Sequence, residues 1–239
     1  MNIPFSSVHF LWKIADWVYP PVCAGCGKAG FRFCPKCLSE VKVFTGNHCL
    51  FCGKPIPFSQ KICQKCHGSP LIITDLSSWA VFEGPLREAI HHFKYQQDIG
   101  LGDYFSGFLI SLIKKRNWQF DLVVPVPVSK SRLKSRGYNQ SELLSRPIAR
   151  YFRVDHTTKA LIRVKETESQ FSLSVAERNR NMEDAFFGFP AKLNGRRVLV
   201  VDDIITTGAT MNQCAKALLQ AGAKEVYGVS VAKTVRHRI

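Results

Sequence analysis

Residues 198–210 read VLVVDDIITTGAT. Four apolar residues run straight into two adjacent acids, Asp202 and Asp203. Thr206, Thr207, Gly208, Ala209 and Thr210 then crowd hydroxyls and small groups into one turn. The apolar run predicts a strand buried on both faces, as in a parallel sheet. The turn feeds ATMNQCAKALLQAGA (209–223), a helical pattern closed near Gly222. In a parallel sheet, ligands bind beyond the carboxyl ends of the strands. A helix N-terminus there presents free amides that favour phosphate, and the threonine hydroxyls add donors. The two carboxylates are too negative to touch that phosphate. They suit sugar hydroxyls or, through water, Mg²⁺. The ligand expected at this turn is a phosphorylated sugar.

The pattern around this stretch is consistent with the same fold. SSWAVFEG (77–84), FDLVVPVP (120–127), RRVLVVDD (196–203) and EVYGVSVAKT (225–234) read as strands. PLREAIHHFKYQ (85–96) and LGDYFSGFLISLIKKR (101–116) read as helices, the first opened by Pro85 and the second ending on basic residues that suit the helix dipole. A further helix is expected from about Asn139, broken or kinked at Pro147. The alternation predicts an α/β domain over 71–239 with a parallel sheet covered on both faces.

Upstream the chain changes character. Eight of its nine cysteines fall into four C-x-x-C pairs, Cys23/Cys26, Cys34/Cys37, Cys49/Cys52 and Cys63/Cys66. Two thiolates at this spacing in a tight turn can face one metal, and two such turns complete a tetrahedral shell around Zn²⁺. Four repeats in a Gly/Pro-rich segment argue against a redox pair, and the lack of an export signal argues against disulfides. Residues 20–70 are therefore expected to form a small Cys-rich domain with two structural zinc ions. The spacing favours sequential grouping, Cys23, Cys26, Cys34 and Cys37 on one ion and Cys49, Cys52, Cys63 and Cys66 on the other. A cross-braced grouping stays open. Cys214 sits alone in a helical pattern and reads as a small buried residue.

The chain carries 33 Lys+Arg against 18 Asp+Glu, a formal net charge of +15. Such a surface favours polyanionic partners. Residues 1–19 read as an amphipathic helix, not as a signal peptide, and no apolar run approaches the ~20 residues of a membrane span. No stable membrane insertion and a cytoplasmic location are expected.

The 198–210 stretch resembles the phosphoribosyl pyrophosphate (PRPP) motif of type I phosphoribosyltransferases: an apolar run, two acids, then T-T-G-x-T. That resemblance implies that Asp202 and Asp203 hold the ribose hydroxyls and that Thr206, Thr207, Gly208, Ala209 and Thr210 cradle the 5′-phosphate, with Mg²⁺ accompanying PRPP. DLVVPVPV (121–128) resembles the strand and pyrophosphate turn of the amidophosphoribosyltransferase branch, and 163–181 lie where that branch has its hood. FKYQQD (93–98), RGYNQSELL (136–144) and QFSLSVAERNRN (170–181), joined to the cysteine pairs, make the chain similar to the competence protein F family.

Membership in that family would imply a part in DNA uptake on the cytoplasmic side, near the inner-membrane uptake machinery, with an uptake helicase and a recombination-mediator protein as partners. Lys130, Arg132, Lys134, Arg136 and Tyr138 then read as a basic loop with an aromatic, suited to single-stranded DNA through phosphate contacts and base stacking. Lys94, Arg136, Arg178 and Arg180 are candidate pyrophosphate contacts. The alternative is an active phosphoribosyltransferase acting on an acceptor that no segment of the chain announces. Fold alone does not decide between them.

Overall fold

The computed structural model describes residues 20–67, 72–164 and 185–235. The expected N-terminal helix, Arg178, Arg180 and most of the hood lie outside the described residues. The central sheet has five parallel strands in the order β1 (Asp75–Val81), β7 (Glu225–Lys233), β6 (Arg197–Ile205), β2 (Leu122–Pro125) and β3 (Asp155–His156). A separate antiparallel pair joins β4 (Leu161–Arg163) to β5 (Phe186–Gly188).

Burial follows from the strand sequences. Val198, Leu199, Val200 and Val201 have no exposed surface, because helices cover one face of β6 and a helix with the β4–β5 pair covers the other. On the first face lie α2 (Gly84–Tyr95), α3 (Gly100–Arg116) and α5 (Gln140–Phe152); on the second lies α7 (Ala209–Gln220). Short helices α4 (Lys130–Arg136) and α6 (Pro190–Leu193) complete this part, and α1 (Pro35–Ser39) belongs to the cysteine-rich segment.

Three expectations need correction. First, Pro147 neither ends nor divides its helix, which runs on to Phe152. Proline removes the donor that would meet the Leu143 carbonyl one turn back. That carbonyl faces α3 at Gly102, where an added Cβ would sit 3.2 Å from the oxygen and 2.9 Å from Leu143 Cβ. A glycine-mediated helix crossing thus accommodates the interrupted ladder. Second, the basic stretch 130–136 is a helix, not a loop: Ser129 caps it by accepting from the Arg132 amide, and Gly137 closes it at φ 80°. Third, the strand read over 196–203 does not end at Asp202 and Asp203. β6 continues to Ile205 beside Ser230–Lys233 of β7.

The cysteine-rich segment is built from two similar halves packed on different surfaces. Lys42–Phe44, between them, runs along β1: the Phe44 amide donates to the Trp79 carbonyl at 3.0 Å and the Val81 amide to the Lys42 carbonyl at 2.8 Å. This covers the upper part of an otherwise open sheet edge. No helix among the described residues is long and apolar enough to cross a membrane.

Candidate phosphate site and two candidate metal centres

Each half of the cysteine-rich segment begins with the same turn. The Gly27 amide donates to the Cys23 carbonyl at 2.8 Å and the Cys23 amide to the Lys28 carbonyl at 2.8 Å. The second turn repeats this with Gly53 to Cys49 at 3.0 Å and Cys49 to Lys54 at 2.8 Å. Positive φ at Gly27 (78°) and Gly53 (73°) lets each chain double back beneath its two thiols.

The thiols gather in the sequential grouping: Cys23, Cys26, Cys34 and Cys37 in one set, Cys49, Cys52, Cys63 and Cys66 in the other, each within 4.8 Å. Sγ–Sγ separations are 3.7 Å for Cys23–Cys37, 3.7 Å for Cys26–Cys34 and 3.6 Å for Cys52–Cys63. A tetrahedron with zinc–sulfur bonds of about 2.3 Å has edges of about 3.8 Å. Main-chain amides are aimed at the sulfurs, Cys34 at Cys23 (3.2 Å), Cys37 at Cys34 (3.4 Å) and Cys63 at Cys49 (3.4 Å). Burial alone would raise the Cys23 thiol, but amides of Cys34, Gly25 and Cys26 outweigh it and bring it down to about 6. The donor sets therefore fit two structural Zn²⁺ ions. Neither His48 nor His67 belongs to a cluster, and Cys214 is fully buried in α7.

The residues expected to hold a phosphorylated sugar lie at the carboxyl end of β6 and in the turn that follows it. Asp202 Oδ1 accepts from the Ser141 hydroxyl at 2.9 Å and from the Asp203 amide at 2.9 Å. Asp203 Oδ2 lies 3.0 Å from Lys94 Nζ of α2, with both side chains largely buried. Burial, and then the charge of Asp203, push the Asp202 carboxyl up to about 7 against the opposing pull of Lys94, the Asp203 amide and Ser141. Two adjacent acids are tolerated because one carries a lysine and the other holds its proton near neutrality.

Beyond Ile205 the chain turns through Thr206–Gly208 into α7. Gly208 adopts φ 76°, and Thr207 Oγ1 accepts from the Ala209 amide at 3.2 Å. Thr206 is exposed, while Thr207, Ala209 and Thr210 are partly so. The outer strand end is tied down from β7: the Thr234 amide donates to the Ile205 carbonyl at 3.0 Å and its hydroxyl to the Thr206 carbonyl at 3.1 Å.

The remaining predicted cations separate into two groups. Arg136 donates to Gln140 Oε1 (3.0 Å) and to the Tyr95 hydroxyl (3.2 Å), with its guanidinium 4.9 Å from the Tyr95 ring centre. Tyr138 is half-buried against the core and its hydroxyl donates to the Phe93 carbonyl at 2.6 Å. It is a structural strut of α2, which argues against its role as a stacking platform. Lys130 and Lys134 are exposed on α4 and Arg132 partly so. The structure thus brings Lys94 onto Asp203, holds Arg136 on Gln140 and Tyr95, and leaves Lys130, Arg132 and Lys134 on the outer surface of α4.

Sequence reasoning missed the support beneath the site. Asn139 caps α5 by accepting from the Ser141 amide at 3.1 Å and donates to the Val126 carbonyl at 3.0 Å, clamping the helix to the β2 turn. Gln140 is 1% exposed, and its Nε2 is the one buried side-chain polar atom without a partner among the described residues. The run Asn139-Gln140-Ser141, polar at the start of an amphipathic helix, was the available signal.

Comparison with known proteins agrees with both parts. The double zinc ribbon domain profile matches residues 14–67, and the phosphoribosyl transferase domain profile matches residues 141–237. Competence protein F of Haemophilus influenzae is 32% identical over 214 residues, covering 86% of this chain and 87% of that protein. DNA utilization protein YhgH of Escherichia coli K12 is 32% identical over 183 residues, covering 74% of this chain and 80% of its own. A solved glutamine PRPP amidotransferase from B. subtilis aligns over 58% of this chain and 30% of its own, at 18% identity and a TM-score of 0.40. With a double zinc ribbon, a phosphoribosyltransferase domain and the Haemophilus influenzae competence protein F matched along most of both chains, the chain belongs to the competence protein F family.

Proposed function

We propose that this protein handles incoming single-stranded DNA during natural transformation and carries a binding site for Mg²⁺-PRPP in its phosphoribosyltransferase domain. The observation that carries the PRPP reading is the convergence on one strand end of two adjacent acids, Asp203 buried and Asp202 partly so, and a glycine-opened helix N-terminus. Asp202 and Asp203 take the ribose hydroxyls. The 206–210 amides and hydroxyls take the 5′-phosphate. Lys94 and Arg136, with Arg178 and Arg180 from outside the described residues, take the pyrophosphate. Gln140 Nε2 is a buried donor lacking an acceptor, and a pyrophosphate or acceptor oxygen beside Arg136 would satisfy it. The carboxylates and phosphate oxygens are donors of the type hydrated Mg²⁺ accepts, and the ion would neutralise charge on the pyrophosphate.

The DNA reading is supported by the names of the relatives and by the +15 charge. Lys130, Arg132 and Lys134 are the first residues to place on a phosphate backbone, since they are not held by the core. An uptake helicase, a recombination mediator and a cytoplasmic position near the inner membrane go with that role.

Two titrations test the proposal. Calorimetry with PRPP and Mg²⁺ is expected to show one site per chain that is lost in Asp202→Asn/Asp203→Asn. Single-stranded oligonucleotide binding is expected to weaken as salt rises, with a shallower slope in Lys130→Ala/Lys134→Ala. Absence of DNA affinity even at low salt removes direct binding. Acceptor-dependent release of pyrophosphate would favour the second reading, an active transferase.

A further inference from the structure

The second ribbon touches the phosphate turn directly. Its tip is Leu50–Phe51, held between the ligands Cys49 and Cys52, and both residues are buried. Phe51 lies over Gly208, the left-handed residue that opens α7: a Cβ added there would meet Phe51 Cδ1 at 3.1 Å and the Leu50 carbonyl at 3.6 Å. That carbonyl accepts a hydrogen bond from Lys233 Nζ. Lys233, 4% exposed, ends β7 and is the register partner of Ile205. The next residue, Thr234, is the one that binds the Ile205 and Thr206 carbonyls. The turn at 206–208 is therefore gripped from two sides, by the ring of Phe51 and by the β7 terminus, and both grips are anchored in the same short piece of chain between two thiols.

We infer that Phe51 and Lys233 are positioning residues that couple metal occupancy of the Cys49–Cys52–Cys63–Cys66 centre to binding in the 206–210 turn. The inference rests on the reading of that turn as the PRPP phosphate site. With its four thiolates on one ion, the tip is fixed and Phe51 holds Gly208 in the conformation that aims the α7 amides outward. Without the ion, the tip is released and the turn must be ordered by the ligand itself, which weakens binding. Coupling of this kind is reciprocal, so a ligand in the turn must also retain the second zinc. The first ribbon makes no such contact among the described residues, and its ion is expected to be indifferent to PRPP.

The test uses the zinc-loaded full chain. PRPP with Mg²⁺ is titrated by calorimetry into the wild-type protein, Phe51→Ala, Lys233→Met and Phe58→Ala. Phe58 is 87% exposed on the same ribbon. Zinc content is measured for each variant to confirm that both ions remain. Phe51→Ala and Lys233→Met are expected to weaken PRPP by about tenfold, and Phe58→Ala to leave it unchanged. In a second arm a chromogenic chelator strips zinc from the wild-type protein. Saturating PRPP is expected to slow release of one of the two ions by about fivefold or more and to leave the other unaffected. An unchanged PRPP affinity in Phe51→Ala, together with release of both ions that ignores PRPP, overturns the coupling while leaving the PRPP site intact. If the wild-type protein binds no PRPP, the reading of the site falls. Amide exchange at 206–210 in ligand-free Phe51→Ala then decides the coupling alone: faster exchange supports it and unchanged exchange overturns it.

Discussion

In the first ribbon, Phe33 precedes the second thiol pair and packs edge-on against Tyr104 (6.1 Å) and Phe105 (5.9 Å) of α3. In the second, Phe51 sits within the first thiol pair and lies against the backbone of Gly208. Both halves carry the same turn, the same ligands and one buried aromatic. One aromatic is inserted among side chains of a helical core; the other covers a turn that leads into a candidate ligand site. The first joins the largest hydrophobic cluster, with Cys23, Cys34 and Cys37 among its buried members, whereas the second contributes Leu50 to the opposite one. The difference teaches that a repeated metal module can be a foundation in one copy and a brace in the other, because the roles are set by what each tip touches.

The contrast breaks first, if it breaks, under ligand removal. Cys37→Ser leaves an incomplete shell inside the main core and is expected to abolish a cooperative thermal transition. Cys66→Ser should leave the α/β domain folded, with a lowered midpoint and one zinc per chain. The free energy of a structural zinc site, about 10–16 kcal/mol in small zinc peptides, is large enough for the first result. If both variants unfold alike, the two ribbons are equivalent supports.

Aromatic truncation should separate them more finely. Phe33→Ala is expected to cost about 3–5 kcal/mol in denaturant unfolding, the range for a buried phenylalanine. Phe51→Ala should cost clearly less, because it faces a turn and not the interior of a helix layer. Equal losses would sink the distinction.

A pH series sharpens the picture at the acids beside the turn. Asp202 has a folded value of about 7 against an ordinary value of 3.8. The folded protein therefore binds more protons than the unfolded chain across that interval, and this carboxyl makes stability fall as pH rises from about 4 to about 7. Asp202→Asn should flatten that part of the curve in the ligand-free protein, leaving it more stable than wild type near pH 7, while removing PRPP binding. Parallel curves for the two proteins would show that the carboxyl titrates normally.

The smallest effect belongs to the tie between the first ribbon and the α2–α3 junction. Arg32 Nη1 lies 2.7 Å from Asp98 Oδ1, and both side chains are mostly buried. Asp98→Asn is expected to cost about 1 kcal/mol, measured as a small shift in the denaturant midpoint.

Much of this was legible in the sequence for identifiable reasons. The thiol pairs follow from local turns of four residues, though which pairs share an ion does not, and the strands follow from uninterrupted apolar runs such as 198–201. What was not legible depends on distant partners. Nothing near Asp202 announces Ser141 or Lys94, which arrive from α5 and α2 and allow β6 to continue through two acids. Pro147 signals a helix end until Gly102, on another helix, supplies room for the freed carbonyl. The basic run at 130–136 lacks buried residues altogether, so no periodicity marks it as helical, and its ends are set by Ser129 and Gly137. Similarly, the aromatic Tyr138 suggests stacking until Phe93 provides its acceptor.

The strand order has a consequence for biosynthesis. β1 is the first strand made, yet its neighbour in the sheet is β7, the last, which also separates it from β6. A ribosome must deliver almost the entire chain before β1 has a lateral partner on that side. Until then its exposed edge is an invitation to pairing with another nascent chain. The two metal centres need no such wait, as their thiol ligands are local and complete as soon as residue 66 emerges. Lys42–Phe44 can then shield one side of β1 while the other side remains vacant. Cells short of zinc would be expected to lose this protein during synthesis, before any question of its finished stability arises.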